Sequence, residues 1–207
     1  PFTFIATAEV IQLLGATPIF VDIDPKTYNI SPELLDESIA QVIEAGELNP
    51  KVIIPVDLFG LPADYAAIEL IAKKYDIKIL EDAAQGFGGQ IDDRLAGSFG
   101  DAASTSFFPA KPLGCYGDGG AITTNDEYLS TQCRKIANHG RVSKYNHDFE
   151  GRNSRLDGLQ AAILSVKLKY LDTWLEKRTE IADIYLKELS SISDIVLPVR
   201  KSWSKQA

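Results

Sequence analysis

The stretch Ile77–Gln85 (IKILEDAAQ), read together with Thr105–Lys111 (TSFFPAK) and Pro112–Ile122 (PLGCYGDGGAI), decides the fold. Ile77, Ile79 and Leu80 form an apolar run that ends in two carboxylates and then small residues, the pattern of a buried parallel strand emptying into a loop. Such carboxyl ends are where α/β proteins place ligands. A carboxylate there, for which Asp82 is the choice, can pair with a protonated ring nitrogen. Lys111 lies between the aromatic pair Phe107–Phe108 and the turn Pro112–Gly114, so apolar walls would flank an amine able to act as a nucleophile. Ser106 can offer a hydroxyl to a phosphate oxygen. The glycines of GDGG allow close backbone approach before an AIT strand. A strand ending in Glu-Asp and a lysine beside a proline are also ordinary solvated features.

Upstream, Ser31 is read as the cap and Pro32 as the first residue of an amphipathic helix carrying Leu34, Leu35, Ile39, Val42 and Ile43 on one side. KVIIPV reads as a strand. Ile68, Ile71, Ala72 and Tyr75 mark the next helix face, and IKILED closes the unit. Strand, helix and strand in this rhythm predict a parallel sheet with helices on its faces. FTFIATAEVIQLLG reads as a short strand turning into a helix capped by Thr7 and stopped by Gly15, and TPIFVDID as another strand. DAASTSF and AITTN add two more strands, and Asn125 is placed as the cap of a helix that Gly140 ends. From Arg155 onward, Leu156, Leu159, Ile163, Val166, Tyr170 and Trp174 predict one long helix.

Composition narrows the class. The 207 residues are 45% hydrophobic and carry a formal net charge of −8, with no basic block to suit nucleic acid or an acidic membrane. No apolar run approaches the ~20 residues of a membrane span, and no leader pattern opens the chain; the cytoplasm is the expected location. Cys115 and Cys133 lack metal-ligand spacing and are read as free thiols, and Asp22 with Asp24 as a turn before Pro25, so no metal is expected. GFGG at 86–89 opens no helix and is a poor dinucleotide fingerprint. His139 and His147 read as loop residues. The chain has no methionine, opens on proline and closes on KSWSKQA, which suggests a fragment with no terminating element.

PFTFIATAEVI, FVDIDPKTYNI, IPVDLFG, EDAAQ, SFFPAKPLGCYGDGGAI and NSRLDGLQAAIL follow one another as in the DegT-type sugar-nucleotide aminotransferases. The resemblance covers nearly the whole chain. It implies the three-layer α/β fold of type I pyridoxal phosphate enzymes, with a cofactor-binding large domain over 1–154 and, over 155–207, a long helix and the start of a small domain. It further implies that Lys111 forms the Schiff base with pyridoxal 5'-phosphate and that Asp82 pairs with the ring nitrogen. Gln85 would face the phenolic oxygen, Ser106 bind phosphate, Phe4 stack on the ring, and Asn153 reach the phosphate of a neighbouring subunit in a homodimer. Lys111 argues against family relatives that are dehydratases with histidine at this position. The run SFFPAKPLGCYGDGG resembles members acting on a UDP-linked 2-acetamido-3-keto-hexuronate with glutamate as donor, on the way to bacterial surface polysaccharides such as O-antigen. There Arg155 would meet the sugar carboxylate. Arg152 departs from the pattern, since relatives often carry an aromatic or apolar residue before Asn153. Two other readings remain: a nucleotide-binding oxidoreductase domain, and a non-catalytic dimer module of the same fold.

Overall fold

The structure, a computed structural model, describes residues 1–207. Its centre is the sheet predicted from the apolar runs. Strand β1 (Val52–Ile53) pairs in parallel with β2 (Lys78–Asp82), and β2 in parallel with β5 (Ala102–Ser106). Strand β6 (Gly120–Thr123) returns antiparallel to β5, with Gly120 opposite Ser106. The order β1-β2-β5-β6 gives a mostly parallel sheet, as expected.

Helices α2 (Pro32–Ala45) and α3 (Tyr65–Tyr75) cover one face. Ser31 caps α2 as read, its Oγ accepting the Leu34 N–H, with Pro32 in the first turn and Gly46 in the left-handed conformation after the last. Asp64 caps α3 by accepting from Ala67 N–H. Leu35, Ile39, Ile53, Ile68, Ala72, Ile77, Ile79 and Phe99 fuse into the main core, where Ile68 is 0% exposed. A second cluster joins Phe107, Leu113 and Cys115 to Leu164, Leu171 and Leu175 from the C-terminal helices.

Several local expectations are corrected. No strand precedes α1 (Ala6–Leu13), and Thr7 lies inside that helix, whose cap position is Ile5. The TPIFVDID segment forms only an isolated bridge, Ile23 with Ile30, because no other strand in the chain lies beside it to complete a ladder. The glycine-rich loop after EDAAQ holds a hairpin, β3 (Gln90–Ile91) with β4 (Arg94–Leu95), and β7 (Ser204–Lys205) adds to β3, so KSWSKQA does form an element. Asp126, not Asn125, caps α4 (Glu127–Ile136), its Oδ1 accepting from Leu129 N–H. The long helix is divided: α5 (Gly158–Lys167) and α6 (Leu171–Leu189) flank a 3-10 turn over Leu168–Tyr170, where Tyr170 has φ −108° and ψ −2°. Cys115 is buried with its thiol directed at the Phe107 carbonyl, and Cys133 is also free. His147 Nδ1 contacts the backbone carbonyl of His139 at 2.8 Å, and both histidines are exposed. Asp24 accepts the Lys26 N–H in a turn. No helix is long and apolar enough to cross a membrane.

Candidate active site

The parallel strands deliver their carboxyl ends to one edge, where Asp82 closes β2 and Ser106 closes β5. Asp82 closes β2, with Ser104 of β5 as its cross-strand partner, so Ser106 projects two residues beyond it. The alternation of β2 separates two adjacent acids: Glu81 shares the buried face with Ile79, and half-buried Asp82 lies on the opposite face. Asp82 Oδ2 accepts from the Thr7 hydroxyl at 2.8 Å, and Oδ1 from Ala84 N–H at 3.1 Å. Each oxygen keeps a lone pair for a ligand. Thr7 therefore ties α1 to the end of β2, one helical turn from exposed Phe4.

Two further polar groups are pre-set by backbone N–H donors. Gln85 Oε1 accepts from Phe59 N–H at 2.9 Å, which turns its amide NH₂ outward as a free donor. Ser106 Oγ accepts from Phe108 N–H at 3.2 Å, which leaves its own hydrogen to give away. Phe59 stands at φ 56°, a left-handed position rarely taken by an aromatic residue, and Asn29 holds this turn by accepting from Leu58 N–H while donating to the Leu61 carbonyl. Lys111 is half-buried in the turn after Phe108, where its N–H donates to the Phe108 carbonyl, and its amine joins no ion pair.

Asn153 and Arg155 lie elsewhere. They border a cleft of about 910 Å³ between β5, β6, α4 and the 153–157 segment, whose lining includes Ser104, the cross-strand partner of Asp82, but none of Phe4, Asp82, Gln85, Ser106 or Lys111. Both are exposed, and Arg155 Nε donates to Asn153 Oδ1 at 3.0 Å, which leaves the asparagine NH₂ and the outer guanidinium nitrogens to face other groups.

The sequence profile of the DegT/DnrJ/EryC1/StrS aminotransferase family matches residues 1–207. The chain belongs to this family. It is similar to the UDP-2-acetamido-2-deoxy-3-oxo-D-glucuronate aminotransferase of Pseudomonas aeruginosa, with 50% identity over 191 residues, 91% of this chain and 51% of that protein. A DegT/DnrJ/EryC1/StrS aminotransferase from Brucella abortus superposes with a TM-score of 0.96 at 47% identity, covering 99% of this chain and 55% of that one. NtdA from Bacillus subtilis, solved with bound PMP, gives a TM-score of 0.81 at 35% identity, over 93% of this chain and 42% of that one. The chain thus spans about half the length of the relatives it matches.

Sequence reasoning missed Thr7 as a partner of Asp82, and it missed Asp57 and Glu81. Asp57, four residues beyond β1, is 0% exposed and donates its N–H to the Asp82 carbonyl. The period-two alternation IKILED carried the signal for Glu81, since it places that acid on the same face as Ile77 and Ile79.

Proposed function

We propose that this chain forms the cofactor-binding half of a pyridoxal phosphate-dependent aminotransferase that transfers an amino group to a nucleotide-linked keto-sugar. The observation that carries this reading is the orientation of the polar set at the sheet edge: Ser106 and Gln85 are left as donors and Asp82 as an acceptor. A pyridoxal phosphate needs that pattern, with donors for its phosphate and phenolic oxygens, an acceptor for its ring N–H and an amine for its carbonyl. These residues fit the group.

When bound, the cofactor supplies an electron sink for carbanion chemistry at the α-carbon of an amino donor. Lys111 holds the cofactor and, once released, carries the proton to and from that carbon as general base and acid. Asp82, fixed by Thr7 and Ala84, keeps the ring nitrogen protonated. Ser106 donates to phosphate, Gln85 to the phenolic oxygen, and Phe4 covers the ring face. In this reading Asn153 and Arg155, both exposed, serve the site of a second copy. The assembly is a homodimer in this reading, with residues 1–154 as the cofactor-binding domain and 155–207 leading into a smaller one.

The acceptor we favour is a UDP-linked 2-acetamido-3-keto-hexuronate, with glutamate as donor, in the cytoplasmic synthesis of a surface polysaccharide. The guanidinium of Arg155 suits the sugar carboxylate. A charge-assisted pair contributes roughly 1.5–3 kcal/mol, about ten- to a hundredfold in kcat/KM. In the full-length enzyme, Arg155→Ala should lower turnover of the 3-keto-uronate by that factor and spare its uncharged hexose analogue. Equal losses on both substrates, or a wild-type preference for the neutral sugar, would remove the uronate assignment.

A further inference from the structure

Asp57 and Glu81 are both 0% exposed, and the chemistry above uses neither side chain. Their hydrogen bonds differ in kind. Glu81 accepts with both oxygens, from Gly97 N–H at 2.5 Å and Phe99 N–H at 2.8 Å. Asp57 Oδ1 accepts twice, from Ala63 N–H at 3.0 Å and the Tyr65 hydroxyl at 2.8 Å, while Oδ2 has no conventional partner. One aromatic stack links the two acids: the Tyr65 hydroxyl holds Asp57, the Tyr65 ring lies 4.2 Å from that of Phe99, and the Phe99 N–H holds Glu81. No ion pair reaches either acid: Arg94, the cation whose charge Glu81 feels, stacks 4.5 Å from the centre of the Phe99 ring and pairs with Glu69.

Two carboxylates buried in one layer with no cation paired to either would repel, so the arrangement needs a proton. The bonding pattern locates it. Glu81 already takes a backbone N–H on each oxygen and is the carboxylate; the orphan Oδ2 of Asp57 bears the hydrogen. The remaining ionisable groups around the pair are Tyr65 from α3 and Asp82 on the far face of β2, and neither brings a compensating positive charge. Burial, reinforced by the Glu81 charge, pushes Asp57 well above the ordinary carboxyl range, and burial also raises Glu81.

We propose that Asp57 is a neutral carboxylic acid that shares its proton with Glu81 and positions Asp82 from behind the sheet. The positioning role rests on the reading of Asp82 as the ring-nitrogen partner; the shared proton does not. Asp57 N–H donates to the Asp82 carbonyl at 3.0 Å, and Asp82 N–H to the Pro55 carbonyl at 2.9 Å, so the two strand ends are laced together. The Asp57 side chain also ties the turn through Ala63, and that turn presents the Phe59 N–H that orients Gln85. The fit behind Asp57 is close: a Cβ added to Gly86 would come within 2.5 Å of its Oδ2.

A folded value above the unfolded one means that folding takes up a proton. The stability contributed is complete below the ordinary carboxyl value and is lost as pH rises toward the folded value. Asp57→Asn keeps an acceptor for Ala63 and Tyr65 and gives Glu81 a permanent N–H donor. Relative to this variant, the wild-type folding constant should fall about tenfold per pH unit within that window.

The experiment uses full-length wild type and Asp57→Asn, with infrared spectra at neutral pH and denaturant unfolding from about pH 5 to about pH 9. A protonated-carboxyl carbonyl band present in wild type and missing in the variant, with a stability gap that changes with pH, is expected. No band and a flat gap would overturn the shared proton. Should the variant fail to fold, wild-type calorimetry in buffers of different ionisation enthalpy counts the protons released on unfolding, and a count of zero overturns it equally. Pyridoxal phosphate affinity tests the positioning role: Asp57→Ala should bind about tenfold more weakly, with Asp57→Asn restoring the affinity. Unchanged binding by Asp57→Ala defeats that role. Wild type that binds no pyridoxal phosphate would defeat the functional reading and leave the proton pair standing.

Discussion

The two faces of β2 show how one strand serves two purposes. On the core side, Ile77, Ile79 and Glu81 meet α3 and Phe99 in a buried layer where Tyr65 and Phe99 stack at 4.2 Å with an interplanar angle of 3°. On the other side, Asp82 is half-buried, bonded to one hydroxyl and one N–H, and open to a further donor. Burial and backbone satisfaction hold the first face still, whereas the second keeps hydrogen-bonding capacity in reserve. The contrast teaches that the site is stiff because its support is buried, and reactive because its own polar atoms are left half-used.

Substitutions on the two faces should separate in their readouts. The largest effect on activity is expected from Asp82→Asn, which keeps the shape of the side chain but removes the charge that its proposed role toward a ring nitrogen requires. Transamination by the full-length enzyme should drop by about a hundredfold or more, with the thermal midpoint nearly unmoved. Near-normal turnover with cofactor bound would erase the distinction drawn between the faces. A smaller and opposite signature is expected from Ile68→Ala, which empties a fully buried position in the core against β2. It should cost about 2–5 kcal/mol of stability in denaturant titrations, while the folded fraction keeps its cofactor spectrum. A variant that stays as stable as wild type would show that the core side is looser than the packing indicates.

Much of this was legible in the chain. Ser31-Pro32 and Gly46 bracket α2 because a hydroxyl, a fixed φ and a left-handed glycine each solve a local backbone problem that neighbours do not alter. The β1 and β2 strands were legible in the apolar runs KVIIPV and IKIL. What was hidden depended on distance. Thr7 reaches Asp82 across 75 positions, and no local pattern in ATAEVIQL announces that contact. The β3–β4 hairpin escaped because two-residue strands of mixed polarity carry no period. TPIFVDID has the composition of a strand, but a strand exists only where a neighbour completes its ladder. The division between α5 and α6 was masked because the apolar spacing runs through the 3-10 turn without a break. Within the candidate site, resemblance supplied roles for seven residues, and the alternation of β2 could have added Glu81 unaided.

The central claim is that the amine of Lys111 holds pyridoxal phosphate at the carboxyl end of this sheet. Its most direct test is reduction of the full-length, cofactor-loaded protein with borohydride, followed by peptide mass spectrometry. The account predicts a pyridoxyl adduct on Lys111, with loss of visible absorbance, and no adduct in Lys111→Ala. An adduct on another lysine, or one that persists in Lys111→Ala, would contradict it.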